Sequence, residues 1–256
     1  GLYYSLIDWH HPDFTIDEIY PIHPNTKEEY DRLNKNRDME VYRQYMKNQV
    51  RELLTNYGKI DILFLDYSYP GEFGKDHNDW DSKGLLAMVR ELQPGIIVND
   101  RLDLDDYEGG WDFYTPEQFV VSKCPEVNGK KIPWETCNTF SGAWGYHRDE
   151  NTWKDTKQLL GVLIESVSKG GNMLLNVGPT ARGYFDYRVD ESLKEIGKWM
   201  KYNNKSIYGC TQAPDGFEAP ENSRLTYNPE TKRLYIHLFD YPIKNLKLTG
   251  YGGKIK

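Results

Sequence analysis

Short apolar runs typical of buried strands alternate along this chain with segments whose apolar residues recur every three or four positions. The clearest run covers residues 60–65, is continuously apolar from residue 62, and ends abruptly at Asp66. Strands that alternate with amphipathic helices pair in parallel, because each helix returns the chain to the starting edge of the sheet. The pattern predicts an α/β fold, either a doubly wound sheet or a (β/α)8-like barrel.

Five strands and four helices are predicted from this pattern. The predicted strands cover residues 3–7, 60–65, 96–99, 132–137 and 172–177. The predicted helices cover residues 26–57, 80–92, 155–169 and 190–202, and Gly58 supplies a left-handed stop to the first. Residues 102–131 show no clean period and predict a long functional loop.

The texture of the sequence changes near residue 207. Two alternating segments, 223–227 and 233–239, are joined by a turn sequence, which predicts a hairpin of a β-rich domain. We therefore expect a catalytic (β/α) portion over residues 1–205 and the beginning of a β-sandwich over residues 206–256. The chain starts within a strand and offers five barrel strands, so we expect about three strand–helix units upstream of Gly1.

The choice of a barrel rests on where the polar side chains fall. Polar and aromatic residues follow the predicted strands, and no glycine-rich phosphate or dinucleotide loop occurs at a strand-to-helix turn. Barrel enzymes gather their active groups at the carboxyl ends of the strands. The residues in question are Asp8, Trp9, His10, Asp66, Asp100, Arg101, Glu135 and Asn176.

Charge and composition argue against several partners. The chain has 32 basic and 39 acidic residues, a net charge of −7, which repels a nucleic-acid backbone. We expect no membrane partner, because no apolar stretch approaches the length of a membrane span. We also expect no metal, because the three cysteines are scattered and the histidines near the amino end match no ligand spacing.

Three carboxylates are candidates for catalysis. Asp66 directly follows the apolar residues 62–65 at the end of a predicted strand, where its burial must be compensated; the alternative is that it caps a turn. Glu117 lies in the aperiodic loop and Glu135 near the end of a predicted strand, and either could pair with Asp66. Two carboxylates beside aromatic side chains are the groups that glycoside hydrolysis needs, although each Glu taken singly is more often a solvated or salt-bridged surface residue.

Six ordered segments resemble the α-L-fucosidases of glycoside hydrolase family 29. They are GLYYSLIDW, DILFLD, IIVNDRL, TPEQ, IPWETCNTFSGAWGY and GGNMLLNVGPTARG, within about residues 1–200. The resemblance implies a (β/α)8-like barrel followed by a β-sandwich. It also implies a retaining exo-hydrolase that removes terminal α-L-fucose from fucosylated glycans through a covalent intermediate, without metal or cofactor.

The resemblance also implies roles for individual residues. Asp66 matches the catalytic nucleophile, and the acid/base matches Glu117 or, in another branch of the family, Glu135; a loop residue across the sugar favours Glu117. Tyr67 follows Asp66 where many members have glycine. Phe64 replaces a tryptophan common two residues before the nucleophile. The residues expected to bind the sugar are Tyr3, Trp9, Phe64, Arg101 and Trp144.

Arg101 is expected to project beside Asp66, because the strand before it should neighbour the strand that ends at Asp66. The alternative is an ion pair with Asp100 or Asp103. Two rival functions also remain open: a glycan-binding protein or inert truncated homologue that cannot turn over its sugar, and a barrel glycosidase that acts on a different sugar.

Overall fold

The computed structural model describes residues 1–255, which divide into two units, Gly1–Tyr114 and a second unit that begins at Thr115. The predicted division into 1–205 and 206–256 rests on a change in the sequence pattern, whereas these two units are defined by contacts. That division therefore stays a prediction. Each unit contains parallel strands with helices between them, as the alternating pattern predicts.

The first unit contains a three-stranded parallel sheet in the order β1–β2–β3. Its strands are β1 (Leu2–Ser5), β2 (Ile62–Asp66) and β3 (Ile97–Val98). Its helices are α1 (Lys27–Asn34), α2 (Met39–Asn56) and α3 (Ser82–Leu92). These three strands lie within the predicted segments or one residue beyond them.

Alternation along β2 separates the core of this unit from its site. Leu63 and Leu65 are fully buried, whereas Phe64 and Asp66 on the opposite face are only partly covered. Tyr42 and Trp80 are also fully buried and belong to the same apolar core. The buried face fixes the register of β2, since a slip of one residue would exchange its two faces.

The predicted single helix over residues 26–57 is wrong, because the chain leaves the helix between Asn34 and Met39. The side chain of Thr26 caps α1 by accepting from Glu29 N, and the Asp38 side chain caps α2 by accepting from Glu40 N. An acidic N-cap competes with helix continuation because it satisfies backbone donors in an extended conformation. Gly58 does follow α2 with a φ of 79°, as predicted.

The second unit carries the remaining elements. Its strands are β4 (Glu126–Val127), β5 (Lys130–Lys131), β6 (Glu135–Thr139), β7 (Asn172–Asn176), β8 (Thr211–Gln212), β9 (Ser223–Asn228) and β10 (Arg233–Leu238). Its helices are α4 (Thr156–Ser168) and α5 (Tyr187–Asn203), followed by a 3-10 turn at Asn204–Ser206. β6 and β7 pair in parallel, and β9 pairs antiparallel with both β8 and β10.

Two features of the second unit correct the predictions. The aperiodic segment contains the hairpin β4–β5, whose turn residues Asn128 and Gly129 have φ of 50° and 74°. Asn-Gly is the standard sequence for this tight turn, so the signal was present. The strand predicted at 132–137 begins instead at Glu135, because Pro133 has no N–H to donate to a strand ladder.

The described residues form no closed barrel. Their parallel strands make one sheet of three strands and one of two, and neither count allows closure. The prediction of strand–helix alternation with parallel pairing is confirmed, while the described part of the chain does not display the complete barrel.

Candidate active site

Asp66 is the last residue of β2, and three donors from the first unit converge on its carboxylate. Tyr3 Oη donates to Oδ2 at 2.9 Å, and Arg101 Nη1 donates to Oδ1 at 2.9 Å. The backbone N–H of Tyr67 also donates to Oδ1, at 3.0 Å. The side chain of Asp66 nevertheless remains 18% exposed. The carboxylate is therefore both fixed in orientation and accessible.

The parallel sheet brings these distant residues together. Ser5 of β1 is in register with Asp66, and Tyr3, two residues earlier, faces Phe64. Arg101 comes three residues after Val98, the last residue of β3. The predicted proximity of Arg101 and Asp66 is confirmed by their ion pair.

A buried asparagine joins the ends of β2 and β3. Asn99 Oδ1 accepts from Leu65 N at 2.8 Å, and Asn99 Nδ2 donates to Leu65 O at 2.9 Å. The side chain thus continues the strand ladder past Val98, where backbone pairing with β2 stops. This role of Asn99 was not predicted, although a polar residue at the end of an apolar strand is the available signal.

Phe64 lies beneath the two side chains that hold Asp66. The ring of Tyr3 stacks on that of Phe64 with centroids 5.8 Å apart, and the Arg101 guanidinium carbon lies 5.2 Å from the Phe64 centroid. Stacking and cation–π contact both favour this arrangement. The structure therefore gives Phe64 a supporting position, while Tyr3 presents 58% of its surface to solvent.

Burial raises the pKa of the Tyr3 phenol, and the negative charge of Asp66 raises it further. The phenol therefore keeps its proton across the neutral and moderately alkaline range. Because the proton stays in place, Tyr3 remains a hydrogen-bond donor to the carboxylate.

Trp9 occupies a different environment within the first unit. Its ring packs against Tyr20 in an edge-to-face contact at 5.7 Å and remains 42% exposed. The neighbouring Asp8 accepts from Tyr45 Oη at 3.1 Å. Trp9 is thus an exposed aromatic residue just after β1, as expected from the sequence.

Glu117 takes part in a cluster of contacts within the second unit. Gln118 N donates to Cys137 O at 2.8 Å and Cys137 N donates to Pro116 O at 2.9 Å, so this segment lies parallel to β6. The exposed Glu117 carboxylate accepts from Trp144 Nε1 at 3.1 Å. These contacts order a segment whose sequence has no period.

The Glu117 cluster lies near the carboxyl end of β7. Asn176, the last residue of that strand, donates from Nδ2 to Trp144 O at 2.7 Å. The structure therefore brings together three of the candidate residues from the sequence: Glu117, Trp144 and Asn176.

Glu135 is the first residue of β6 and therefore lies at the amino end of a parallel strand. The sequence pattern placed it near the opposite end, because it predicted a strand that starts three residues too early. Glu135 is partly buried, and burial raises the pKa of its carboxyl group. Barrel enzymes place catalytic groups at the carboxyl ends of strands. Glu135 lies at the opposite end of its strand and so does not fit that rule.

Within residues 1–255, no group of three or more His, Cys, Asp or Glu side chains is arranged to hold a metal ion. Among the described residues, Cys124, Cys137 and Cys210 form no disulfide bond. Among the helices described, none has the length and apolar character needed to cross a membrane.

The fold and the Asp66 cluster define an α/β protein with a carboxylate-centred site at the carboxyl edge of a parallel sheet. Comparison with known proteins gives the family. The family model described as Alpha-L-fucosidase matches residues 1–205. The chain belongs to the α-L-fucosidase family, which is a glycoside hydrolase family.

Individual relatives agree with this assignment. Plasma α-L-fucosidase from Homo sapiens is 29% identical, and the match covers 98% of this chain and 50% of that protein. The chain spans about half the length of the curated relatives that it matches.

Solved structures give the same result. Isoenzyme 1 of α-L-fucosidase from Paenibacillus thiaminolyticus has a TM-score of 0.85 and 38% identity, covering 100% of this chain and 60% of that one. A family 29 α-L-fucosidase from Bacteroides thetaiotaomicron, trapped as a covalent intermediate, has a TM-score of 0.76 and 26% identity. That match covers 94% of this chain and 54% of the other.

Proposed function

We propose that the protein is a retaining exo-α-L-fucosidase with Asp66 as its nucleophile. The observation that carries the proposal is the Asp66 carboxylate at the end of β2, oriented by Tyr3 and Arg101 and still open to solvent. A nucleophilic carboxylate must be fixed in direction and accessible to the anomeric carbon. Membership of the α-L-fucosidase family supports α-L-fucose as the sugar and its glycosidic bond as the bond that is cleaved.

The proposed reaction has two steps. In the first, an Asp66 oxygen attacks the anomeric carbon of fucose and the bond to the leaving oxygen breaks, while Glu117 gives its proton to that oxygen. In the second, Glu117 takes a proton from water, the water oxygen attacks the same carbon, and Asp66 is released. Two inversions restore the original anomer.

Glu117 is our choice for the acid/base, and Glu135 is the alternative. The Trp144 N–H fixes one oxygen of the exposed Glu117 carboxylate, so a proton can be delivered from a defined direction. Glu135 begins its strand and is partly buried. These positions favour Glu117 because proton transfer requires access to the substrate.

The proposed substrate is a fucosylated glycan with a terminal α-L-fucosyl unit. We assign sugar contacts to aromatic and cationic side chains that are exposed or partly covered, because they offer apolar faces and hydrogen-bond donors to a sugar. The strand–helix repeats are proposed to be those of a (β/α)8-like barrel, followed by a β-sandwich. The residues proposed to contact the sugar are Tyr3, Trp9, Phe64, Arg101 and Trp144.

Azide rescue tests the nucleophile. Asp66→Ala should reduce hydrolysis of nitrophenyl α-L-fucoside by several orders of magnitude, and azide should restore part of the rate. Because azide replaces the carboxylate directly, the product should be the inverted fucosyl azide. Asp61→Ala is the matched control, since Asp61 is an exposed carboxylate in a surface ion pair with Lys59.

The same assays separate the rival functions. Binding of L-fucose by calorimetry without any turnover would indicate a glycan-binding protein. Faster cleavage of another aryl glycoside than of the fucoside would indicate a different sugar. A rescued product with the retained anomer would contradict Asp66 as the nucleophile.

A further inference from the structure

Tyr67, the residue immediately after Asp66, adopts a backbone conformation that favours glycine. Its φ is 79°, in the region where a side chain crowds the backbone. A bulky residue held there is strained, and such strain is concentrated at functional sites. The conformation therefore raises the question of what the tyrosine side chain contributes.

The structure holds Tyr67 in this conformation from both sides. Before it, Asp66 is fixed in β2. After it, Tyr69 and Lys75 exchange backbone hydrogen bonds at 2.9 and 3.0 Å, and Tyr69 Oη donates to Asp17 Oδ2 at 2.6 Å. Asp17 is fully buried and ion-paired with Lys75. These anchors supply the constraint that a strained residue needs in order to persist.

The Tyr67 backbone alone does not account for a tyrosine at this position. Its N–H donates to Asp66 Oδ1, and a glycine would make the same bond with no steric cost. The side chain is 45% exposed, whereas Tyr69, two residues later, uses its hydroxyl to anchor the segment. Packing therefore explains Tyr69 and leaves Tyr67 presented to solvent beside the carboxylate.

Tyr67 and Tyr3 flank the same carboxylate. Tyr3 donates to one oxygen of Asp66, and the Tyr67 backbone donates to the other. Both rings are about half exposed, so they present aromatic surface beside the nucleophile.

We propose that the Tyr67 ring is a further substrate-binding surface, which contacts the fucosyl unit rather than the leaving group. The proposal rests on the proposed function. In a retaining displacement the nucleophile attacks from the side opposite the leaving oxygen. A side chain next to the nucleophile therefore meets the sugar ring, whose C–H groups pack against aromatic faces.

Three variants at this position separate the ring from the backbone strain. Tyr67→Ala removes the ring and keeps the strain, Tyr67→Gly removes both, and Tyr67→Phe retains the ring. Lys232→Gly is the control, because exposed Lys232 has a φ of 55° in the turn between β9 and β10 and is not part of the Asp66 cluster.

We expect the Ala and Gly variants to lose about tenfold in both L-fucose affinity and kcat/KM, as for loss of one good aromatic contact. The loss in kcat/KM should be the same for aryl fucosides with good and poor leaving groups. Tyr67→Phe should recover most of it, the melting temperature of Tyr67→Gly should not fall, and Lys232→Gly should behave like the unmodified protein.

Three results would overturn this role: Ala and Gly variants with unchanged affinity, a loss that grows as the leaving group worsens, or a loss confined to glycine. The first denies a contact, the second places it on the leaving-group side, and the third indicates flexibility. Fucose binding without cleavage by the unmodified protein overturns only the proposed function, while absence of both overturns both proposals.

Discussion

At the residue scale, Arg101 makes two contacts near the nucleophile: its guanidinium pairs with Asp66 and lies against the Phe64 ring. A guanidinium offers a planar fork of hydrogen-bond donors. A lysine would keep the positive charge but lose this planar arrangement. Arg101→Lys should therefore weaken L-fucose binding by more than about 1 kcal/mol and leave the melting temperature nearly unchanged. Calorimetry and thermal unfolding measure the two quantities, with Arg51→Lys on the exposed face of α2 as control.

A contrary result for Arg101 is easily recognised. A large fall in melting temperature with unaltered fucose affinity would make the residue a structural ion-pair partner of Asp66. Its proximity to Asp66 would then be confirmed and its proposed contact with the sugar would be wrong.

Glu117 makes a prediction of a different kind, because an acid is needed only when the leaving group requires a proton. Glu117→Ala should lose far more activity on a fucoside with a poor leaving group than on nitrophenyl fucoside, by about 100-fold or more. The measurement is kcat/KM across a series of leaving groups. Equal losses across the series would shift the assignment to Glu135, whose Ala variant is the comparison.

At the scale of elements, Asn99, the residue that follows β3, connects the end of that strand to the end of β2. Asn99→Ala would leave the Leu65 N–H and C=O without these partners in a buried environment. We expect a loss of about 2–3 kcal/mol in the free energy of unfolding, measured by urea denaturation. Asn56→Ala, at the exposed end of α2, should change it by less than about 0.5 kcal/mol.

Activity measurements show whether Asn99 also affects the position of Asp66. Because Leu65 directly precedes Asp66, Asn99→Ala should also lower kcat for nitrophenyl fucoside at temperatures where the variant is fully folded. An unchanged free energy of unfolding would show that water replaces the Asn99 amide and that its two hydrogen bonds to Leu65 contribute little to stability.

Local sequence patterns predicted the elements well where one signal dominated. The apolar run before Asp66 and the apolar stripe of α4 correspond to elements within two residues of their predicted bounds. The break at Asp38 was missed because the polar run at residues 34–38 and its N-cap signal were overlooked. The strand at Glu135 was misplaced because the effect of Pro133 was overlooked.

The candidate site could be predicted only in part. Asp66 and Arg101 were paired in advance because strand ends in a parallel sheet share an edge. The bond from Tyr3 to Asp66 joins residues 63 positions apart, and the strained φ of Tyr67 depends on anchors at Asp17 and Lys75. No local pattern encodes such contacts, since they exist only after the chain has folded.

At the scale of the whole molecule, several buried tyrosines predict sensitivity to alkali. Burial raises the pKa of Tyr4, Tyr42 and Tyr69 above the ordinary value of about 10, and the Asp17 carboxylate adds to the effect at Tyr69. Above that pH the unfolded chain loses these protons while the folded chain keeps them. The free energy of unfolding should therefore be intact below about pH 10 and fall as the pH rises further.

Ultraviolet absorbance and circular dichroism, recorded during an alkaline titration, check this prediction. Tyrosinate absorbance near 295 nm should rise in two phases, with the buried tyrosines ionising only as circular dichroism reports unfolding. Tyr42→Phe should reduce the alkaline loss, because one raised pKa is removed. A single phase complete before any unfolding would show that these phenols are accessible in the folded protein.

The central claim is that Asp66 forms a covalent bond to fucose, and trapping that bond tests it most directly. With 2-fluoro-fucosyl fluoride, the 2-fluoro group slows both steps by destabilising their charged transition states, but the good fluoride leaving group still allows the first step to proceed, so the intermediate accumulates. Mass spectrometry of the digested protein should find one fluorofucosyl unit on the peptide that contains Asp66, and none in Asp66→Ala. A label on a different carboxylate, or no label on a protein that hydrolyses fucosides, would contradict the account.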